Sequence, residues 1–253
     1  MNRIFLIAAL AGFTALGFAQ TEPLPKADTI LDRYIEVTGG KAAYEKRKNA
    51  LETGVLEFKA QGLKGSVTRY SAEPAEEYSV IDIDGVGKIE GGIDNGVAWE
   101  KSAIMGPRIK TGAERVQTLR EGTFNASLHW RELFPKVETA GTETIDGELC
   151  YKVVLTPKEG NPETMLFEKK SGYAVKTMTV ATTQMGDVPF EATSTDYKAF
   201  SGVTIPTKIT QKVSGQEFTI TIQDVKINQP IPEGRFDPPA EIKALLSKSA
   251  DKK

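Results

Sequence analysis

The sequence is poor in the residues from which catalytic and metal sites are most often built. It holds one histidine, His129, and one cysteine, Cys150. A hydrolytic triad needs a nucleophile, a base and an orienting group, with histidine the usual base. Zinc sites draw on several Cys and His ligands. His129 stands beside Trp130 and reads as a packed or surface residue rather than a base. An unrecognised hydrolase survives only as a remote alternative. A lone cysteine excludes an intramolecular disulfide, and Cys150, set in an apolar alternating stretch, reads as a buried thiol. No metal and no cofactor are expected.

Charge of one sign is also missing. The chain carries 32 basic and 34 acidic residues, a net charge of −2 with both signs scattered, so neither nucleic acid nor an anionic membrane surface is an expected partner. The only long apolar run, Ile4 to Leu16, is shorter than the ~20 residues of a membrane-spanning helix. It follows Arg3 and precedes the small residues Gly17 and Ala19, which is the layout of a secretory signal peptide. We therefore expect residues 1–19 to be a cleaved signal and 20–253 one domain, periplasmic or secreted. Gln20 stands where an exported lipoprotein would carry its acylated cysteine. A free, monomeric protein that is not integral to a membrane is expected.

The remaining chain is mostly period-two patterning. Ala27, Ile30, Leu31, Tyr34 and Ile35 recur at helical spacing, with Asp28 as a cap and Gly39-Gly40 as a stop. Short alternating runs then fill 51–102 and 149–227, with Asn95-Gly96 the clearest hairpin turn. The runs predict about eleven mainly antiparallel strands. Between the blocks, Thr111 to Lys136 reads as two short helices broken at Gly122, with Thr111 and Glu114 as a capping box. A last short helix is expected after Pro238-Pro239.

Asp82 and Asp84 next to Gly85 could suit a hard cation, but read more simply as the polar end of a strand. Gly85-Val-Gly87 and Gly91-Gly92 lie too far from any strand-to-helix step to cradle phosphate. What remains is apolar surface. The inserted segment carries Phe124, Leu128, Trp130, Leu133 and Phe134, and strands offer faces such as Leu56/Phe58 and Phe218/Ile220/Ile222. These residues make either an ordinary core or a concave apolar face with the inserted helices as a lid.

The layout resembles the outer-membrane lipoprotein-sorting proteins, the LolA/LolB-like carrier superfamily. The resemblance rests on the opening helix ending at Gly39-Gly40, the strand block from Glu52-Thr-Gly54, the helical insertion, and a closing run. That run is Gly202-Val-Thr-Ile-Pro206, Val225-Lys-Ile-Asn228, Ile231-Pro232 and Phe236-Asp-Pro238. It implies a mainly β protein, an open curved antiparallel half-barrel with helices covering its concave face. By resemblance the protein shields the acyl chains of a lipid or lipoprotein without chemistry. The expected lining is Leu56, Phe58, Trp99, Phe124, Leu128, Trp130, Phe167, Phe190, Phe218 and Ile220. The alternative is a cell-envelope module that binds another protein through its strand edges.

Overall fold

The computed structural model describes residues 23–250. The expected signal peptide lies outside them. Helix α1 (Ala27–Val37) and the single turn α2 (Lys41–Glu45) lead into a six-strand meander. Its strands are β1 (Asn49–Phe58), β2 (Leu63–Ala72), β3 (Glu76–Ile83), β4 (Gly87–Asp94), β5 (Val97–Ser102) and β6 (Gly106–Ile109). The insertion follows as α3 (Gly112–Glu121), a 3-10 turn (Ala126–His129) and α4 (Trp130–Leu133). The second meander holds β7 (Lys136–Ile145), β8 (Glu148–Thr156), β9 (Glu163–Glu168), β10 (Ala174–Thr183), β11 (Gly186–Phe200), β12 (Val203–Val213) and β13 (Gln216–Ile227). Helix α5 (Ala240–Ala250) closes the described chain.

All thirteen strands form one antiparallel sheet, in the order β6-β5-β4-β3-β2-β1-β13-β12-β11-β10-β9-β8-β7. The first and last strands of the chain's two meanders pair at the centre, β1 with β13. Both edge strands, β6 and β7, flank the helical insertion, and they do not pair with each other. The sheet is therefore an open, curved half-barrel with α1 and the inserted helices on its inner face. The expected count of about eleven lacked these two edges. β6 has only four residues, and β7 reads Lys-Val-Glu-Thr-Ala-Gly-Thr-Glu-Thr-Ile, with little apolar alternation. Each takes its strand conformation from a single partner rather than from an apolar face of its own.

The hairpin turn at Asn95-Gly96 forms as the sequence implies, with φ of 46° and 75° between the paired residues Asp94 and Val97. The stop after α1 has a second cause besides backbone freedom. A Cβ on Gly39 would stand 2.3 Å from the carbonyl oxygen of Gly202, so this helix end can rest on the β11–β12 turn only with glycine there. Two expected caps are absent. Neither Asp28 nor Thr111 caps its helix with a side-chain hydrogen bond. Asp28 sits inside the first turn of α1, and Glu114 turns away from Thr111 to Arg108.

The core lies where α1 meets the second meander. Ile30, Leu31 and Ile35 are buried with Val153, Leu155, Phe167, Ala174 and Val203. The i, i+3, i+4 spacing of α1 makes one stripe, and odd-numbered residues of β8 and β9 make the face that receives it.

Candidate functional site

The register assigns each expected lining residue to a face. Leu56 pairs with Ile220 on one side and Gly65 on the other. Ile220 pairs with Ile209, and Phe218 with Gln211 and through it Ala192. Ala192 pairs with Thr177, and Thr177 with Met165. Cross-strand pairs share a face and alternate residues return to it. Leu56, Phe58, Phe167, Phe190, Phe218 and Ile220 therefore all point to the inner side. Phe58 and Phe218 touch, with ring centroids 5.1 Å apart.

Trp99 lies on the opposite face. It pairs with Gly92, and the row continues through Tyr78 and Tyr70 to Leu51, an odd step from Leu56. Its ring lies over Gly92, where a Cβ would come within 2.7 Å of the indole. The C-terminal segment covers this outer row. Arg235 stacks over Tyr70 at 4.7 Å and Tyr78 at 5.4 Å. Lys101, on the same face, holds Glu241 of α5 at 2.7 Å. An isolated aromatic in an alternating run does not reveal which side its strand buries, and here both sides of the first meander are covered.

The inserted segment closes the inner face from above, and its two halves are held differently. Trp130 is buried in the same cluster as α1, with Leu128 and Phe134 packed against it. Its Nε1 donates to Asp32 at 3.3 Å, and Arg131 lies 4.1 Å over the ring while donating to both Asp32 oxygens at 3.0 and 2.7 Å. Arg131 holds the Asp32 carboxyl below its usual range. Phe124 is buried beneath the Arg47 guanidinium at 5.5 Å. Packing thus fixes the 3-10 turn and α4.

Helix α3 is held mostly by polar groups, and to both arms of the sheet. On the first arm, Arg108 donates to both oxygens of Glu114 at 2.7 and 2.6 Å, and Arg115 donates twice to the Gly96 carbonyl. On the second arm, Arg120 donates to Glu163 at 3.1 Å and to the Glu159 carbonyl at 3.2 Å. Gln117 accepts the Thr182 amide at 2.9 Å, capping β10 where the short β9 leaves its edge bare. Burial raises the Glu163 carboxyl above its usual range despite the Arg120 charge. The Arg108 bond lowers Glu114.

Beneath this strut runs a stepped cleft. Its apolar section is a cavity of about 200 Å³ between α1, α4 and β8–β9, walled chiefly by Tyr34, Trp130, Phe134, Leu155, Met165 and Phe167. A cavity of ~150 Å³ already accepts benzene. A second cavity of about 270 Å³ adjoins it across Glu121 and Glu163 and reaches Phe190. A third, of about 330 Å³, follows across Gln117, Glu121 and Ala181, passes the ion-paired Glu100, Arg108, Lys110 and Glu114, and ends at Met105 and Met185. Of the expected lining, Trp130 and Phe167 wall the first cavity and Phe190 the second. Leu56, Phe58, Phe218 and Ile220 line the inner face outside these cavities. Tyr34, Leu155 and Met165 were not singled out from sequence, although the alternation of Val153/Leu155 and Met165/Phe167 marks a buried face.

Groups with chemical potential are dispersed. His129 is half-exposed and pairs with Glu132 at 3.4 Å. Asp82 is on the outer face beside Lys88. Cys150 is buried, its thiol pushed up by burial and its sulfur 3.6 Å from the Glu148 carbonyl. Among the described residues no three His, Cys, Asp or Glu gather as a metal site, and no helix is long and apolar enough to cross a membrane.

No family model matches the sequence. No curated protein matches it either. Solved structures do match. A DUF1329 family protein from Desulfovibrio piger superposes with a TM-score of 0.57 at 13% identity, over 83% of this chain and 97% of that one. A LolA superfamily protein from Nitrosomonas europaea gives 0.55 at 12%, over 85% and 99%. A putative outer membrane lipoprotein-sorting protein domain from Vibrio parahaemolyticus gives 0.52 at 13%, over 87% and 99%. The chain shares the fold of these three structures. A chain with this fold has a single curved sheet and a helical cover, and its cavity chemistry is set by its own side chains.

Proposed function

We propose that this protein is an exported, non-catalytic binding or carrier protein for the acyl chain of a lipid or lipid-modified protein. The observation that carries the reading is the apolar cavity between α1, α4 and β8–β9, continued as a cleft beneath α3. The walls of the cavity are chiefly aromatic and aliphatic, and the buried Arg120–Glu163 ion pair faces the first step of the cleft. Each methylene withdrawn from water contributes about 0.8 kcal/mol, so an eight-carbon stretch in the cavity contributes roughly 6 kcal/mol. Export is supported by the signal-like layout of residues 1–19. The neighbours with this fold include one named for lipoprotein sorting.

The test is extraction of the purified protein followed by lipid mass spectrometry, together with titration of an environment-sensitive apolar dye. Bound acyl lipid, and dye binding abolished by Leu155→Trp, are the expected results. A protein that is reproducibly empty and binds no dye would overturn the reading.

A second reading rests on β7. It is the last strand of the sheet, pairs only with β8 and runs for ten residues, so its outer edge could accept an extended peptide from an envelope protein. The segment before α1 already touches this strand, since Thr139 donates to the Pro25 carbonyl at 2.7 Å. Peptide binding that Thr142→Pro removes, in a protein that binds no acyl chain, would favour it.

A further inference from the structure

Among the described residues, five of the eight exposed large apolar side chains lie at one end of the half-barrel, the others being Leu24, Leu149 and Val180. Ile104 and Met185 are each 82% exposed, and Met105, Val86 and Ile89 lie at 44%, 42% and 38%. Soluble proteins leave single apolar residues exposed as a matter of course, but these five come from three hairpins that end on the same side. Val86 is in the β3–β4 turn, Ile104 and Met105 in the β5–β6 turn, and Met185 in the β10–β11 turn. The first two turns belong to the first arm and the third to the second arm. They converge because the sheet curls, and Met105 and Met185 line the same 330 Å³ section of the cleft. Ile89 stands on the inner face just inside this rim, paired with Ile81.

The geometry points to this rim as a membrane-docking surface that inserts its hairpin tips into the neutral, interfacial layer of a lipid bilayer. Three observations favour a bilayer over a protein. The apolar groups stand on separate projecting turns rather than forming a flat patch or groove, so a rigid partner would need a matching set of pits, whereas a fluid layer takes any shape. The turn residues Ala103, Ile104 and Met105, and Gln184 with Met185, carry no charge. Nearby charges offset one another, Lys88 with Asp82, Lys64 with Glu57 and Lys212 with Glu217 in ion pairs, and Lys59 against Asp84 and Asp187 in number, so the rim has no net cationic field to seek anionic headgroups. The cleft also ends among these tips. An acyl chain could then pass between bilayer and cavity along a section whose charged lining, Arg108 with Glu100 and Glu114, is itself ion-paired, a consequence that rests on the acyl-chain reading, while docking itself does not.

Flotation of the purified protein with phosphatidylcholine vesicles, with and without added phosphatidylglycerol and at low and high salt, tests the inference. Binding to the neutral vesicles that persists at high salt is expected. The variant Val86→Ser with Ile104→Ser removes two exposed side chains that line none of the cleft. It should weaken partition roughly tenfold or more, with the melting temperature unchanged and apolar dye binding in solution retained. An Ile104→Trp probe should be quenched by lipids brominated near the headgroup. Absence of flotation, or flotation that requires phosphatidylglycerol and disappears at high salt, would overturn the inference. So would a variant that floats as well as the parent, or one whose dye binding falls in parallel. A concentration-dependent dimer dissolved by the same substitutions would instead assign the rim to a second copy of the chain. Failure of dye binding in the parent protein would count against the carrier reading and leave the vesicle result standing.

Discussion

The two arms of the half-barrel share one backbone plan and bury their inner faces in opposite ways. The second arm presents Val153, Leu155, Met165 and Phe167 to α1 and is dry, with Val153, Leu155 and Phe167 at 0%, 2% and 1% exposure. The first arm presents a charged row. Arg108 pairs with Glu100 across β6–β5, and the same row runs through Gly91 and Ser79 to Arg69 and Glu52. Arg69 donates to Glu77 at 2.7 Å with two-fifths of its side chain in water. The difference comes from cover. α1 lies across the second arm only, so the side chains beneath it must be apolar, whereas the first arm sets this ionic row beside the buried Ile93 and Ala98 because water or α3 satisfies the ions. The apolar cavity sits on the dry arm, and α3 spans the seam.

The largest effect expected from this contrast is on stability. Phe167→Ala should cost about 3–5 kcal/mol in a denaturation series, because it empties the site under α1 and removes the edge contact with Tyr34 at 5.6 Å. Arg69→Leu, on the same face of the other arm, should cost roughly 1 kcal/mol. Equal costs would break the comparison.

Trp130→Ala should resemble the core rather than the cover, at about 3–5 kcal/mol, while Gln117→Ala in α3 should cost about 1 kcal/mol. Amide exchange should follow the same order, fastest in α3 and slowed there by bound acyl ligand. Exchange in α3 as slow as in β8 without ligand would show α3 to be core.

The two latches of α3 should respond oppositely to pH. Glu163 is raised from 4.5 by burial, so its contribution is fully present below 4.5 and is lost as pH rises through the raised value. Glu114 is lowered from 4.5 by Arg108, so its contribution holds above 4.5 and is lost as pH falls through the lowered value. Stability profiles of Glu163→Gln and Glu114→Gln should each flatten in their own window. The smallest effect belongs to His129→Gln, which should change stability by less than about 0.5 kcal/mol.

Much of this was legible in the sequence because it is local. The period of Ala27, Ile30, Leu31, Tyr34 and Ile35 specifies a one-sided helix, Asn95-Gly96 specifies a two-residue turn, and Gly122 ends α3 where the pattern breaks. The edge strands β6 and β7 were not legible, since a strand with one partner and few buried side chains has little periodic signal. The candidate site was legible only in part. Trp130, Phe167 and Phe190 were recognisable as apolar groups near a cover, while Trp99 was assigned to the wrong face, because alternation fixes two sides without labelling them.

By itself the sequence determined a β-rich chain with two strand blocks, a helical break between them, and a single histidine and cysteine. Those properties follow from short-range spacing and composition, which act within a few residues. Only the tertiary structure decided that β1 and β13 join the meanders, that the inner face is dry on one arm and charged on the other, and that Met105 and Met185 meet at one mouth. Each of these depends on curvature and pairing between residues far apart in the chain, and such contacts leave no periodic trace in the residues that make them.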